Sequence, residues 1–221
     1  MLHVGLTGGI ACGKSTVAAM MRELGCHTFE ADRIAHEVIA PGQPAYDEVL
    51  REFGDGIRAP DGSIDRTRLA AIVFADAGKL ARLNRIVHPR VLEVLEQKLA
   101  ALERAEPNAV AVVEAALLIE AGYHKRLDRL VVVWCRPEQQ VERLVHPDAG
   151  RGMTHEEAER RIAAQMPLAE KRRMADDQID CSGTLEYTRQ QVEALVAKLK
   201  PLAAGTSLHA GSARARREKS P

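Results

Sequence analysis

Apolar positions along the chain follow two different periods. Three short stretches are almost continuously apolar: Leu2–Leu6 (LHVGL), Ala109–Val113 (AVAVV) and Leu130–Trp134 (LVVVW). Such runs, short and without polar alternation, suit parallel strands buried on both faces. Two weaker candidates are residues 26–30 (CHTFE) and 177–180 (DQID). Between these runs the period lengthens to that of a helix. Val17, Met20, Met21 and Leu24 recur at helical spacing, and Gly25 then suits a helix stop. Strands alternating with helices predict an α/β fold, with a parallel five-stranded sheet covered on both faces.

Two stretches do not fit a simple strand–helix alternation. Residues 31–89 hold helical patterns and no clear strand, so they are expected to be a helical insertion. The pattern KLARLNRIVHPRVLEVLEQKLAALERA, residues 79–105, predicts a helix, a break at His88-Pro89 and a second helix. Residues 137–175 form a second helical insertion, rich in Arg and Glu. Its HPDAGRGMT stretch, with Pro147, Gly150 and Gly152, predicts a loop. Thr154, followed three residues later by Glu157, predicts the start of the next helix. Residues 1–30, 90–136 and 176–202 are left as the core, and residues 203–221, small, polar and basic, are expected to be a disordered tail.

The stretch after the first strand carries the chemistry. Residues 8–16 read GGIACGKST, with Gly8, four residues, then Gly13-Lys14-Ser15. This is the spacing of a phosphate-binding loop between a strand and a helix. Gly8, Gly9 and Gly13 let the backbone wrap closely, so that amides from Gly8 through Ile10, Ala11, Cys12 and Thr16 can face phosphate oxygens. The helix N-terminus adds partial positive charge, and Lys14 adds a full one. The Ser15 hydroxyl suits Mg2+, a hard cation that prefers oxygen. The expected ligand is ATP with Mg2+.

Totals narrow the partners. Thirty-one basic residues balance 31 acidic ones, which argues against bulk nucleic-acid binding. No apolar run approaches the ~20 residues of a membrane span. The four cysteines, at 12, 26, 135 and 181, have no zinc-ligand spacing and read as thiols of a reducing compartment, so a cytoplasmic protein is expected. A base-reading N-K-x-D stretch, which a GTPase would need, is not found.

The ordered series VGLTGGIACGKSTVA, EADRIAHE, FGDGI, DGSIDRTRLAAIVF, IVHP and ALLIEAG then becomes specific. It is followed by Gln140, Arg143 and Leu144 in Q-x-x-R-L, by Arg161, Ile162 and Gln165 in R-I-x-x-Q, and by EKRRMADDQID. From about residue 2 to 200 the series resembles the dephospho-coenzyme A kinases. The resemblance implies a three-layer P-loop kinase fold, in which 31–89 binds the acceptor and 137–175 is a helical lid. It implies transfer of a phosphoryl group from ATP to the ribose 3′-hydroxyl of dephospho-coenzyme A; a monomer that binds neither nucleic acid nor membrane is expected. Another small-molecule kinase, acting on a nucleoside or nucleotide, and a non-catalytic nucleotide switch are the alternatives.

The resemblance also distributes roles. Asp32 takes the place of the acid facing the acceptor hydroxyl; a helix cap is its other reading. Glu114 closes the third strand where the family usually has Asp, and Ala116 stands where it usually has Pro. A carboxylate there supports Mg2+ through water. Arg151, in the lid loop, takes the place of an arginine that stabilises charge on the transferring group, and Arg143 is a second candidate, or a solvated helix arginine. His36, Arg66 and His88 are expected on the acceptor side, with packing or local ion pairs as their other readings. Cys181 stands after the last strand, where the family tends to have Asn.

Overall fold

A computed structural model of the chain describes residues 1–146 and 152–206. The five anticipated strands all form: β1 Leu2–Gly8, β2 His27–Glu30, β3 Val110–Glu114, β4 Arg129–Trp134 and β5 Asp177–Asp180. They make one sheet in the order β2-β3-β1-β4-β5. The first strand is therefore central. It pairs in parallel with β3 (Leu2 opposite Val110, Leu6 opposite Glu114) and with β4 (Val4 opposite Arg129, Gly8 opposite Val133). Central parallel strands are covered on both faces, which is why these read as unbroken apolar runs.

The chain divides into two compact units, Met1–Phe29 with the described residues from Leu102 onward, and Glu30–Ala101. The first unit holds the sheet. Its core packs Leu2, Val4 and Leu6 of β1 with Val17, Met20 and Met21 of helix α1 (Lys14–Glu23). Val192, Leu195, Val196 and Leu199 of the last helix, Leu185–Thr206, complete it. That helix also carries Ala203, fully buried, so the chain stays helical to Thr206 where a disordered tail was expected from residue 203. Burial of Ala203 against the core carries the helix past the point where small, polar composition suggests its end. The rest of the expected tail, 207–221, lies outside the described residues.

The second unit is helical, as its pattern implied: α2 Ala31–Glu37, α3 Tyr46–Phe53, α4 Arg66–Phe74 and most of α5, Ala77–Ala105. Asp65 caps α4 by accepting the amides of Thr67 (3.0 Å) and Arg68 (3.1 Å). The break expected at His88-Pro89 does not occur. Helix α5 runs through Pro89 for 29 residues. Proline removes one amide donor and crowds the preceding turn. Against that, Val87, Val91, Leu95 and Leu99 lie four residues apart on one face and are all buried. Burying each is worth about 1.5–3 kcal/mol, which together exceeds the ~3 kcal/mol of an interior proline.

Helices α6 (Pro137–Val145), α7 (His155–Ala163) and α8 (Leu168–Met174) follow β4, and the final helix is α9. Thr154 is the N-cap of α7, its hydroxyl accepting the Glu157 amide at 3.2 Å.

Candidate active site

The phosphate-binding loop joins β1 to α1, as its spacing requires. Two of its glycines answer to different constraints. Gly13 is the N-cap of α1 and has φ 94°, in the left-handed region that a side chain disfavours. Gly8 lies against β4: a Cβ there would come within 2.2 Å of the Val133 carbonyl oxygen. The first amide of the α1 ladder then closes between Val17 and the Gly13 carbonyl at 3.1 Å.

Lys14 and Ser15 open α1 and converge on one carboxylate. Lys14 Nζ and Ser15 Oγ each donate to Glu114 Oε1 at 3.1 Å. Glu114 stands at the end of β3, beside β1, and is only 5% exposed. A buried carboxylate needs such partners, and a lysine and a hydroxyl supply them. The glutamate thus reaches the loop directly. Its oxygen and the Ser15 hydroxyl are neighbouring hard donors, a pair of the kind that fits Mg2+.

Arg143, on α6, is not a solvated helix arginine. It donates to the Ala11 carbonyl (3.2 Å) and to the Cys181 carbonyl (2.8 Å), tying the loop to the end of β5. Arg151 lies outside the described residues.

Three of the acceptor-side candidates meet within the second unit. Arg66 NH1 donates to His36 Nδ1 at 3.1 Å. Burial, then the Arg66 charge, hold the His36 pKa below its usual value, while Asp32 pulls the other way. The ring is therefore neutral at about pH 7, with its proton on Nε2, and Arg66 supplies the positive charge. Asp32 is not the helix cap; it occupies the first turn of α2, after Glu30, exposed and without a hydrogen bond to its carboxylate among the described residues. An acid in that turn suits the positive end of the helix dipole. His88, on α5, lies apart from these in sequence, and partial burial lowers its pKa.

A family model described as dephospho-CoA kinase matches residues 2–186. The chain belongs to the dephospho-CoA kinase family. The dephospho-CoA kinase of Symbiobacterium thermophilum is 47% identical over 194 residues, 88% of this chain and 80% of that relative. That of Leifsonia xyli is 46% identical over 200 residues, 90% of this chain and 100% of the relative. A crystal structure from Thermus thermophilus matches with a TM-score of 0.75 at 33% identity, covering 90% of this chain and 97% of the other. The dephospho-CoA kinase from Campylobacter jejuni shares the fold, with a TM-score of 0.67 at 24% identity over 90% and 97% of the two chains. The chain is accordingly a kinase of the last step in coenzyme A synthesis.

Some residues around the loop of this dephospho-CoA kinase family member carried no role on sequence grounds. Gln140, 4% exposed, donates to the Ile10 carbonyl at 2.8 Å, and Gln165 accepts the Ile10 amide at 3.0 Å. Lys171 is fully buried, and its ammonium reaches Glu120 (2.8 Å) and the Ala116 carbonyl (2.9 Å). The only sequence signal for the glutamines was their place in the Q-x-x-R-L and R-I-x-x-Q stretches. Neither hydropathy nor spacing marks a glutamine that serves a backbone more than a hundred residues away.

Three of the four buried, free thiols also border the loop. Cys12 and Cys135 share a hydrogen bond at 3.5 Å, and Cys181 Sγ lies 3.3 Å from where a Cβ at Gly13 would stand. The bond to Cys135, together with burial, holds the Cys12 thiol pKa far up, and burial pushes that of Cys181 up to about 11. Thiolates are the reactive form, and an ordinary thiol titrates near ~8.5. At about pH 7.5 an alkylating reagent should therefore leave Cys12 and Cys181 unmodified in the folded protein and label both after denaturation. Intact-mass analysis of the two samples tests this; rapid labelling of Cys181 in the folded sample would contradict the assigned environment.

Proposed function

We propose that the chain transfers the γ-phosphoryl group of ATP to the ribose 3′-hydroxyl of dephospho-coenzyme A, using the phosphate loop and Asp32. The observation that carries this is the convergence of Lys14 and Ser15 on Glu114 at the end of β3. A glycine loop at a helix N-terminus beside a lysine ammonium suits the β- and γ-phosphates. Gly8 through Thr16 hold ATP, with Arg143 keeping the Ala11 and Cys181 carbonyls in place. Ser15 and Glu114 hold Mg2+, which when bound neutralises charge on the phosphates. Asp32 accepts or orients the proton of the acceptor hydroxyl.

Arg66, charged beside a neutral His36, suits a phosphate of the acceptor, and His88 is assigned to acceptor binding with them. Arg151 stabilises charge on the transferring group from the lid loop. In-line transfer needs no covalent intermediate on the protein. Among the described residues no helix is long and apolar enough to cross a membrane. A monomer acting in the cytoplasm completes the proposal.

The direct test mixes purified protein with ATP, Mg2+ and dephospho-coenzyme A and seeks one added phosphate on the acceptor by mass spectrometry. Coenzyme A is the expected product. No product from this acceptor, alongside phosphorylation of a nucleoside or nucleotide, would overturn the assigned substrate.

A further inference from the structure

The peptide of Ile10 is held from both sides. Its carbonyl accepts Gln140 Nε2 and its amide donates to Gln165 Oε1. These assignments are unambiguous, because a backbone amide only donates and a carbonyl only accepts. Gln140 is confined from below: a Cβ on Gly9 would come within 2.5 Å of its nitrogen. Gln165 differs. It lies in the connection between α7 and α8, and its own Nε2 makes no hydrogen bond among the described residues. One bond to the loop is what places its carboxamide.

The backbone beside Gln165 is fixed by an unusual device. The Met166 amide donates to Glu120 Oε1 at 3.1 Å. That same oxygen accepts Lys171 Nζ at 2.8 Å, and the ammonium also bonds the Ala116 carbonyl. The Ala116 carbonyl in turn accepts the Thr7 hydroxyl at 3.2 Å, one residue before the loop. A lysine with no exposed surface is costly unless paired, so this stretch has one favoured seating. The polar path thus runs from Thr7 through Ala116, Lys171, Glu120 and Met166 to Gln165, and returns to the loop at Ile10.

We propose that Gln165 is a positioning residue of the phosphate loop, and that the buried Lys171–Glu120 pair acts through it by fixing where the carboxamide stands. Gln165 orients the Ile10 peptide, and with it the turn that leads to Gly13 and Lys14. This rests on the loop being the ATP site. The reaction geometry at the acceptor is untouched by it, so the effect falls on the nucleotide.

The test is steady-state kinetics of the full chain, with ATP and dephospho-coenzyme A varied separately, and ATP binding measured by calorimetry. Gln165→Ala should raise the KM and the Kd for ATP about tenfold, as loss of one useful hydrogen bond implies. The KM for dephospho-coenzyme A should stay within about twofold. Lys171→Met, which replaces a buried charge by an apolar chain of similar length, should raise the ATP values in the same direction by about threefold. In the Gln165→Ala background it should add nothing. Unchanged ATP values in Gln165→Ala, or equal losses for both substrates, overturn the proposal. Independent, multiplying effects of the two substitutions overturn the route through Glu120. If the wild-type protein forms no coenzyme A, the proposed activity fails, while calorimetry with ATP still decides the role of Gln165.

Discussion

Asp32→Asn should lower kcat by about 10²- to 10⁴-fold, the usual contribution of a positioned proton acceptor. The substitution keeps size and shape and removes the negative charge, and with it the ability to take a proton. Because Asp32 is exposed and its carboxylate bonds no other described residue, little stability rides on it. Its loss should leave the melting temperature and the Kd for ATP nearly unchanged. The negative charge also faces His36. Without it, His36 loses the one influence that raises its pKa, so the ring stays neutral and Arg66 keeps its partner. The effect should therefore appear in turnover, measured with both substrates saturating. Turnover at the wild-type rate would remove Asp32 from the mechanism.

Lys14→Ala should be as severe for a different reason. In the proposed mechanism Lys14 faces the transferring phosphoryl group, and removing such a preorganised donor costs about 10²- to 10³-fold in rate. Here a second penalty follows. Glu114 is left with only the Ser15 hydroxyl, and its uncompensated charge then faces the place of the phosphates. ATP binding should weaken along with turnover. The Glu114→Gln background separates the two contributions: Lys14→Ala should cost less there, because no anion is left unpaired. The comparison needs kcat/KM for ATP in the four proteins of the cycle. Normal turnover in Lys14→Ala would break the link between the loop and the reaction.

The strands were legible because burial on both faces erases alternation. LHVGL, AVAVV and LVVVW could scarcely be anything else once turns bounded them. The edge strands β2 and β5 are short and mixed, with Ile179 as the one buried residue of β5, and were correspondingly weak signals. Helix α5 exposes the limit of local rules. Proline argues for a break on its own terms, and only the buried face of Val87, Val91, Leu95 and Leu99 argues against one. The loop itself was fully legible, since a ladder of glycines, a lysine and a serine act within nine residues. What surrounds it was not. Arg143, Gln140 and Gln165 serve carbonyls and amides more than a hundred positions away, and a polar residue on a helix looks the same whether it meets water or a backbone. Cys181 was seen only as a departure from the family; the structure places its thiol 3.3 Å from where a Gly13 side chain would begin.

The central place of β1 also shapes the order in which the molecule is made. Leu2–Gly8 is synthesised well before both of its partners, residues 110–114 and 129–133. At roughly 5–20 residues per second, its apolar run waits about 5 to 25 s for a neighbour. During that interval the helices of residues 30–101, whose contacts are local, can already close on themselves. The nucleotide loop, hung between the first strand and the first helix, acquires its brace later still, when Gln165, Lys171 and Cys181 emerge. A chain stopped anywhere before β3 would carry the whole phosphate signature and none of the strand pairing that gives it shape.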